Sequence, residues 1–274
     1  MKNKIYDCIT FYNENLQVKL RLNILNNYVD KFVICESVYD HKGKKKNLNF
    51  QAEEFKDFKD KIIYLVLDTQ FPDTTDPWIT QAYQREFLLK KLNFLDPEDY
   101  VMFSDPDEIP TPELLSNIDL KKKFGIFMQK MFCYKLNIYN QYESPWEGTR
   151  IAKKKNLKSI DFLRQKIVAK NLNYSILRFD KERSIEVFKN GGWHFNYLLK
   201  PEVISNKLKT FAHTEFDNEI FTNIEKIKDN INNLNDLFNR GNKYQKVEID
   251  ESFPKYIIQN KEEFKDSHNI SNIS

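Results

Sequence analysis

The sequence is poor in the residues that mark several classes of protein. Only six of its 274 residues are glycine, which disfavours a glycine-rich all-β design. Its three cysteines, Cys8, Cys35 and Cys133, are odd in number, far apart, and each placed in an apolar run. This pattern predicts buried free thiols rather than disulfides or a metal cluster, and therefore a reducing compartment.

Long hydrophobic runs and an excess of charge are also missing. No window approaches the roughly 20 apolar residues of a membrane span, and residues 1–8 lack the apolar stretch of a signal peptide. The 43 Lys and Arg residues nearly balance the 40 Asp and Glu residues, and a net charge of +3 gives little drive toward nucleic acid. We therefore expect a cytoplasmic protein that neither spans a membrane nor binds nucleic acid.

The sequence does contain enough apolar side chains for a sizeable core, since 41% of its residues are hydrophobic and 14% aromatic. Apolar runs typical of strands alternate with segments of helical spacing, which is typical of βαβ units and a largely parallel sheet. One domain is predicted over residues 1–260, followed by a polar, frayed tail over 261–274. The predicted strands are 5–11, 32–35, 62–67, 100–104 and 124–138, and the predicted helices are 16–25, 53–59, 79–92, 202–211 and 221–238.

An acidic segment follows the predicted strand 100–104. It contains Asp105, Asp107 and Glu108 within four positions. In open α/β sheets, ligands bind outside the carboxyl ends of the strands. Carboxylate oxygens suit Mg²⁺ or Mn²⁺, and such ions often complete their coordination with substrate phosphates. The segment therefore predicts a site for a divalent ion and a nucleotide diphosphate, with an ordinary turn before the next helix as the alternative.

Several segments, taken in order, resemble glycosyltransferase family 17, the β-1,4-mannosyl-glycoprotein 4-β-N-acetylglucosaminyltransferase family. They are "YDCITFYNENLQVKLRLNILNNYVDKFVICES", "GKKKNLNF", "KIIYLVLD", "AYQRE", "FSDPDEIP" and "GGWHFNY". The resemblance implies a GT-A fold, in which a Rossmann-like, mostly parallel central sheet is flanked by helices, here with an irregular C-terminal elaboration. It also implies a UDP-sugar donor, a divalent cation, a glycan acceptor, and inversion at the anomeric carbon. The sugar that it implies is N-acetylglucosamine or a related hexose.

The resemblance and the positions of the charged residues suggest roles for individual side chains. The candidates for metal binding are Asp105, Asp107 and His194. The candidates for donor binding are Asn13, Glu14, Glu36, Arg85, Asp105 and Lys207. An inverting transfer also needs a carboxylate that accepts a proton from the acceptor hydroxyl. The candidates for this catalytic base are Glu108, Glu215, Asp217 and Glu147, and the sequence does not choose among them.

Two other functions use similar features. A nucleotidyltransferase acting on sugar phosphates would have the same acidic site, but such enzymes usually carry a glycine-rich, basic loop after the first strand. This chain has "TFYNENLQ" at that place, which counts against the interpretation. A non-catalytic glycan-binding module is the third interpretation, and it predicts no metal-dependent binding of a nucleotide.

Overall fold

The computed structural model describes residues 3–175, 177–210, 216–266, 269 and 271. The strands are β1 (Ile5–Phe11), β2 (Lys31–Ser37), β3 (Ile62–Leu67), β4 (Tyr100–Ser104), β5 (Glu108–Pro110), β6 (Phe124–Cys133), β7 (Ile138–Tyr139), β8 (Trp146–Lys153), β9 (Ile185–Asn196) and β10 (Gln245–Lys246). The helices are α1 (Asn15–Leu25), α2 (Pro77–Lys91), α3 (Ile160–Lys166), α4 (Pro201–Thr210), α5 (Glu219–Thr222), α6 (Ile224–Asn233), α7 (Lys255–Gln259) and α8 (Lys261–Asp266).

The N-terminal half of the sheet is parallel. Its strands lie in the order β3-β2-β1-β4, and each neighbouring pair is parallel. This is the order of a Rossmann-like nucleotide-binding half. The strands are apolar on both faces because helices cover both sides of a parallel sheet. The pairings of Phe11 with Glu36 and of Ile9 with Ser104 bring the carboxyl ends of β1, β2 and β4 to one edge.

The second half of the sheet is mixed. β8 lies antiparallel to both β4 and β6, whereas β9 runs parallel to β6 and antiparallel to β5. The predicted α/β class is thus observed, and the mostly parallel character holds for β1 to β4. The strand predicted over 124–138 is divided into β6 and β7, because Tyr134 has a left-handed backbone with a φ of 68°.

Helices cover the two faces of the sheet. On one face α1 and α7 contribute Leu20 and Ile257 to the core, and on the other α2 and α3 contribute Leu88 and Leu163. Asp76 caps α2, its side chain accepting a hydrogen bond of 2.9 Å from the Trp78 backbone N–H. Two predicted helices are wrong in extent: 53–59 forms 3₁₀ turns over Ala52–Phe58, and 221–238 is helical only within Glu219–Thr222 and Ile224–Asn233.

The chain after residue 260 packs more tightly than the sequence predicts. α8 begins at Lys261, and its Phe264 is buried in the main core with α7. Farther along, the Ser271 backbone N–H donates to Asn137 Oδ1 at 2.7 Å. The expectation of a frayed tail from residue 261 onward is therefore wrong for these residues, because one aromatic side chain in an otherwise polar helix is enough to anchor it.

The cysteines behave as the sequence predicts. Cys8, Cys35 and Cys133 are all buried and free. Burial raises the pKa of the Cys35 and Cys133 thiols to about 12. Over the described residues, no helix is both long and apolar enough to cross a bilayer. The cytoplasmic location stays a prediction.

Candidate active site

A cleft of about 820 Å³ opens at the carboxyl edge of β1, β2 and β4. α2, α3, α4 and β8 supply its other walls. The charged side chains that line it in the described part of the chain are the acids Glu14, Asp40, Asp105, Asp107, Glu143 and Glu147, and the bases Lys46, Arg85, Arg150, Arg164, Lys207 and Arg240. Acids and bases are therefore equal in number around the cleft, and His41 and His194 join them.

Arg21, a buried arginine of α1, holds the acidic segment in position. Arg21 donates two hydrogen bonds of 2.6 Å to the Asp7 carboxylate in β1 and one of 2.6 Å to Ser104 Oγ. It also donates to the Glu108 carbonyl at 2.8 Å. One guanidinium thus joins α1, β1, the end of β4 and β5. Arg21 was not predicted as a site residue, although its spacing from Val18 and Leu25 places a charge on the apolar face of α1.

Glu108 points into the protein and is fully buried. Its carboxylate accepts hydrogen bonds from Arg164 at 2.7 and 2.9 Å, from Trp146 Nε1 at 2.7 Å, and from the Asp105 backbone N–H at 3.2 Å. These four donors leave little capacity for a substrate proton. The catalytic role of Glu108 stays a prediction, and its contacts favour a role in holding the acidic segment. Arg164 was not predicted as a site residue from the sequence.

Asp107 lies beside His194. Antiparallel pairing of β5 with β9 brings the two together, and 3.5 Å separates Asp107 Oδ1 from His194 Nε2. Burial by itself would raise the pKa of Asp107, but the His194 charge and hydrogen bond, with Lys207, hold that pKa at about 2. Burial would lower the pKa of His194, and Asp107 reverses this and raises it. Asp105 is placed differently, because its Oδ2 accepts a hydrogen bond of 2.7 Å from Arg164.

The chemistry of Asp107 and His194 suits a divalent ion whose remaining coordination positions are filled by a bound ligand. The described residues contain no group of three or more His, Cys, Asp or Glu side chains able to hold a metal by themselves. Asp107 and His194 together offer a carboxylate oxygen and an imidazole nitrogen, which suit Mn²⁺ or Mg²⁺ only when other oxygens complete the coordination. Asp105 would complete the predicted set only if Arg164 released its carboxylate.

Lys207 and Glu14 join α4 to the end of β1. Lys207 Nζ donates to Glu14 Oε1 at 3.0 Å, and Glu14 Oε2 accepts from the backbone N–H groups of Tyr12 and Asn13 at 3.0 and 2.9 Å. Burial would lower the pKa of Lys207, but Glu14 and Asp107 raise it. Glu14 and Lys207 line the cleft, as a donor-binding role requires, whereas Asn13 is not among the lining residues.

Glu36 and Arg85 have structural partners. Glu36 is fully buried behind the cleft wall, and it accepts hydrogen bonds from Lys46 at 2.6 Å, the Asn49 backbone at 2.7 Å and Tyr64 Oη at 2.8 Å. These contacts hold the loop after β2. Arg85 does line the cleft, where it joins α2 to α3 through a hydrogen bond of 2.7 Å to Asp161. Donor binding by either residue stays a prediction.

Of the other candidates for the catalytic base, the described residues place Glu147 at the cleft and Asp217 outside its lining. Asp217 forms an ion pair of 2.5 Å with Lys42 and is not among the lining residues. Glu215 lies outside the described residues. Glu147, at the start of β8, does line the cleft.

The family assignment comes from comparison with known proteins. The model of glycosyltransferase family 17 matches residues 1–265. The chain belongs to this family. The β-1,4-mannosyl-glycoprotein 4-β-N-acetylglucosaminyltransferases of Rattus norvegicus and Homo sapiens are each 32% identical to it over 117 residues. These matches cover 39% of the chain and only 22% of each of those two enzymes.

Solved structures, among them the glycosyltransferase GlyE, are similar to this family 17 member at a lower level. The TarS structure from S. aureus, determined in complex with UDP, has a TM-score of 0.42 and 14% identity, and it covers 75% of this chain and 63% of its own. GlyE of Streptococcus pneumoniae has a TM-score of 0.36 and 13% identity, covering 69% and 46%. The predicted resemblance to family 17 is confirmed by the family match, and with the observed sheet so is the predicted GT-A fold class.

Proposed function

We propose that the protein is a metal-dependent, inverting glycosyltransferase that moves a hexose, in the first instance N-acetylglucosamine, from a UDP-sugar to a glycan acceptor. The observation that carries this proposal is the pairing of Asp107 with His194 at the carboxyl edge of β4, inside the large cleft. A cleft of about 820 Å³ lies within the usual range of ligand pockets and suits a nucleotide sugar.

The charge balance of the cleft supports a divalent ion. A diphosphate adds at least two negative charges, so it needs a cation that is not already neutralised. Each of the six Lys and Arg side chains that line the cleft in the described residues already has a carboxylate partner. The pairs are Lys46 with Glu36, Arg85 with Asp161, Arg150 with Glu147, Arg164 with Asp105 and Glu108, Lys207 with Glu14, and Arg240 with Glu143 and Asp236.

The roles of the chain's own residues follow from this arrangement. Asp107 and His194 would hold Mn²⁺ or Mg²⁺, and the ion would neutralise the charge that develops on the departing UDP. Lys207, placed between Glu14 and Asp107, would contact the diphosphate from the side of α4. Arg21 and Glu108 keep the acidic segment in position without contacting the donor. Three aromatic residues that line the cleft, Tyr12, Tyr39 and Trp78, would hold the nucleoside.

Calorimetry with UDP in the presence and absence of Mn²⁺ tests the proposal. We expect binding that depends on the metal, and we expect slow UDP release from at least one nucleotide sugar in a panel led by UDP-N-acetylglucosamine. Absence of metal-dependent UDP binding would support a glycan-binding module instead. Formation of a nucleotide sugar from UTP and a sugar phosphate would support a nucleotidyltransferase.

A further inference from the structure

The proposed reaction needs a carboxylate that can take a proton from the attacking hydroxyl. Such a group must line the cleft, must have an oxygen that strong donors do not already occupy, and must lie near the acidic segment. Glu108 fails the first two conditions, since it is fully buried under four donors. Asp217 fails the first two as well, because it is not among the lining residues and forms an ion pair of 2.5 Å with Lys42.

Most acids that line the cleft are already engaged. Glu14, Asp105 and Asp107 face the cations at the proposed diphosphate end. Asp40 accepts hydrogen bonds of 2.9 Å at Oδ1 from the backbone N–H groups of Lys42 and Lys44, which hold it within its own turn after β2. In Glu143, both oxygens are occupied. The hydrogen bonds to it come from Asn140 Nδ2 at 2.7 Å and from Arg240 at 3.0 and 3.3 Å.

Glu147 has long contacts at both of its oxygens. Within the described part of the chain, its carboxylate accepts from Arg150 Nη2 at 3.3 Å and from the Ala169 backbone N–H at 3.2 and 3.3 Å. Contacts of this length are at the weak end of hydrogen bonding. The Arg150 guanidinium is directed mainly at the carbonyl oxygens of Glu147, Gly148 and Ile167. The side chain of Glu147 is 31% exposed, so an acceptor hydroxyl can reach it.

The neighbours of Glu147 fix it beside the acidic segment. The preceding residue, Trp146, donates from Nε1 to Glu108, and its ring lies 5.3 Å from the His194 ring. The following residue, Gly148, accepts from Arg164 at 3.2 Å, and the same guanidinium donates to Asp105 at 2.7 Å. Glu147 thus lies between Trp146, which contacts Glu108 directly, and Gly148, which is joined to Asp105 through Arg164.

We infer that Glu147 is the general base of the proposed transfer, and this inference rests on the proposed function. The oxygen of the acceptor hydroxyl forms a bond to the anomeric carbon of the donor sugar. The bond from that carbon to the diphosphate oxygen breaks, and its electron pair leaves with UDP. The hydroxyl proton passes to the Glu147 carboxylate and then to solvent.

Glu147→Gln tests the inference, since it keeps the shape of the side chain and removes its basicity. The probe is UDP release from UDP-N-acetylglucosamine, or from whichever nucleotide sugar of the panel is active, with water or methyl β-mannoside as acceptor. We expect this rate to fall about 100-fold or more, with Mn²⁺-dependent UDP affinity unchanged within about twofold. A large loss of rate with an unchanged UDP affinity is a split that a merely structural role would not produce.

Glu143→Gln is the matched comparison, because it changes a carboxylate of the same cleft that Arg240 already holds. We expect a smaller loss of rate than in Glu147→Gln. The inference is overturned if Glu147→Gln keeps more than about one-tenth of the wild-type rate, or if Glu143→Gln loses more. A wild type that binds UDP but releases it from no nucleotide sugar also overturns it, whereas a wild type that binds no UDP overturns the proposed function itself.

Discussion

Asp107 is a buried carboxylate that its neighbours keep ionised. Although burial opposes ionisation, the charge and hydrogen bond of His194 and the charge of Lys207 hold its pKa at about 2. Its neighbours Asp105 and Glu108 are held by Arg164, so Asp107 is the acid of this segment that faces a histidine rather than an arginine. At the scale of single residues, this difference separates the proposed metal ligand from the side chains that support it.

Replacing Asp107 by Asn keeps the shape of the side chain and removes its charge. We expect Asp107→Asn to abolish Mn²⁺-dependent UDP binding in calorimetry and to reduce transfer by about 100-fold or more, since a carboxylate oxygen is the ligand that Mn²⁺ prefers. The variant should still fold, but its melting temperature should fall, because the charges of His194 and Lys207 lose a buried partner. Asp119→Asn, at an exposed side chain, is the control and should behave as wild type. Transfer at a near wild-type rate in Asp107→Asn would make the acidic segment an ordinary turn.

At the scale of elements, one ion pair joins α1 to the sheet. The side chains of Arg21 and Asp7 are each only 1% exposed, and their closest atoms are 2.6 Å apart. The same guanidinium reaches Ser104 and the Glu108 carbonyl, so α1 also sets where β4 ends and β5 begins. The position of the acidic segment therefore depends on a helix that contributes no proposed ligand to the metal.

Breaking this pair on one side leaves a charge buried without its partner. We expect Arg21→Met to lower the free energy of unfolding by about 3–5 kcal/mol, as measured by urea denaturation. The double variant Arg21→Met with Asp7→Asn should recover much of this loss, because no charge is then left unpaired. UDP affinity should stay reduced in both variants, since Arg21 also holds the acidic segment. A single variant as stable as wild type would show that the ion pair has no such role.

At the scale of the whole molecule, the buried thiols make the stability of the protein vary with pH in the alkaline range. The pKa of Cys35 and of Cys133 rises from 9.0 to about 12, chiefly because burial disfavours the thiolate. A group whose pKa is higher in the folded state binds its proton more tightly there. Its contribution to the free energy of unfolding is therefore complete below pH 9.0 and is lost as the pH rises toward about 12.

We therefore expect the free energy of unfolding in urea to fall as the pH rises above 9.0. The double variant Cys35→Ala with Cys133→Ala should show a shallower fall over the same interval, whatever its stability at neutral pH. An equal slope in both proteins would assign the alkaline loss to other groups. Mass spectrometry of the non-reduced protein provides an independent check, since an internal disulfide would contradict the free thiols.

Local patterns were enough to predict several parts of this protein. The strands β1 to β4 are continuous apolar runs, which a parallel sheet covered by helices requires, and they were predicted nearly to the residue. Asp105 and Asp107 were predicted at a ligand-binding edge because they directly follow such a run. Free, buried cysteines follow from their apolar neighbours in the sequence. All of these inferences use residues within a few positions of one another.

The roles of the remaining site residues were decided only by the tertiary structure. Arg164 is 56 residues from Glu108 and Lys207 is 193 residues from Glu14, and no local pattern reports contacts over such separations. Glu36 illustrates the same limit. Its strand-end position predicts a ligand contact, but donors from the following loop and from Tyr64 occupy its carboxylate. The sequence by itself determined where charge lies along the chain. Packing determined which donors occupy each carboxylate, because a side chain's partners depend on segments that only folding brings together.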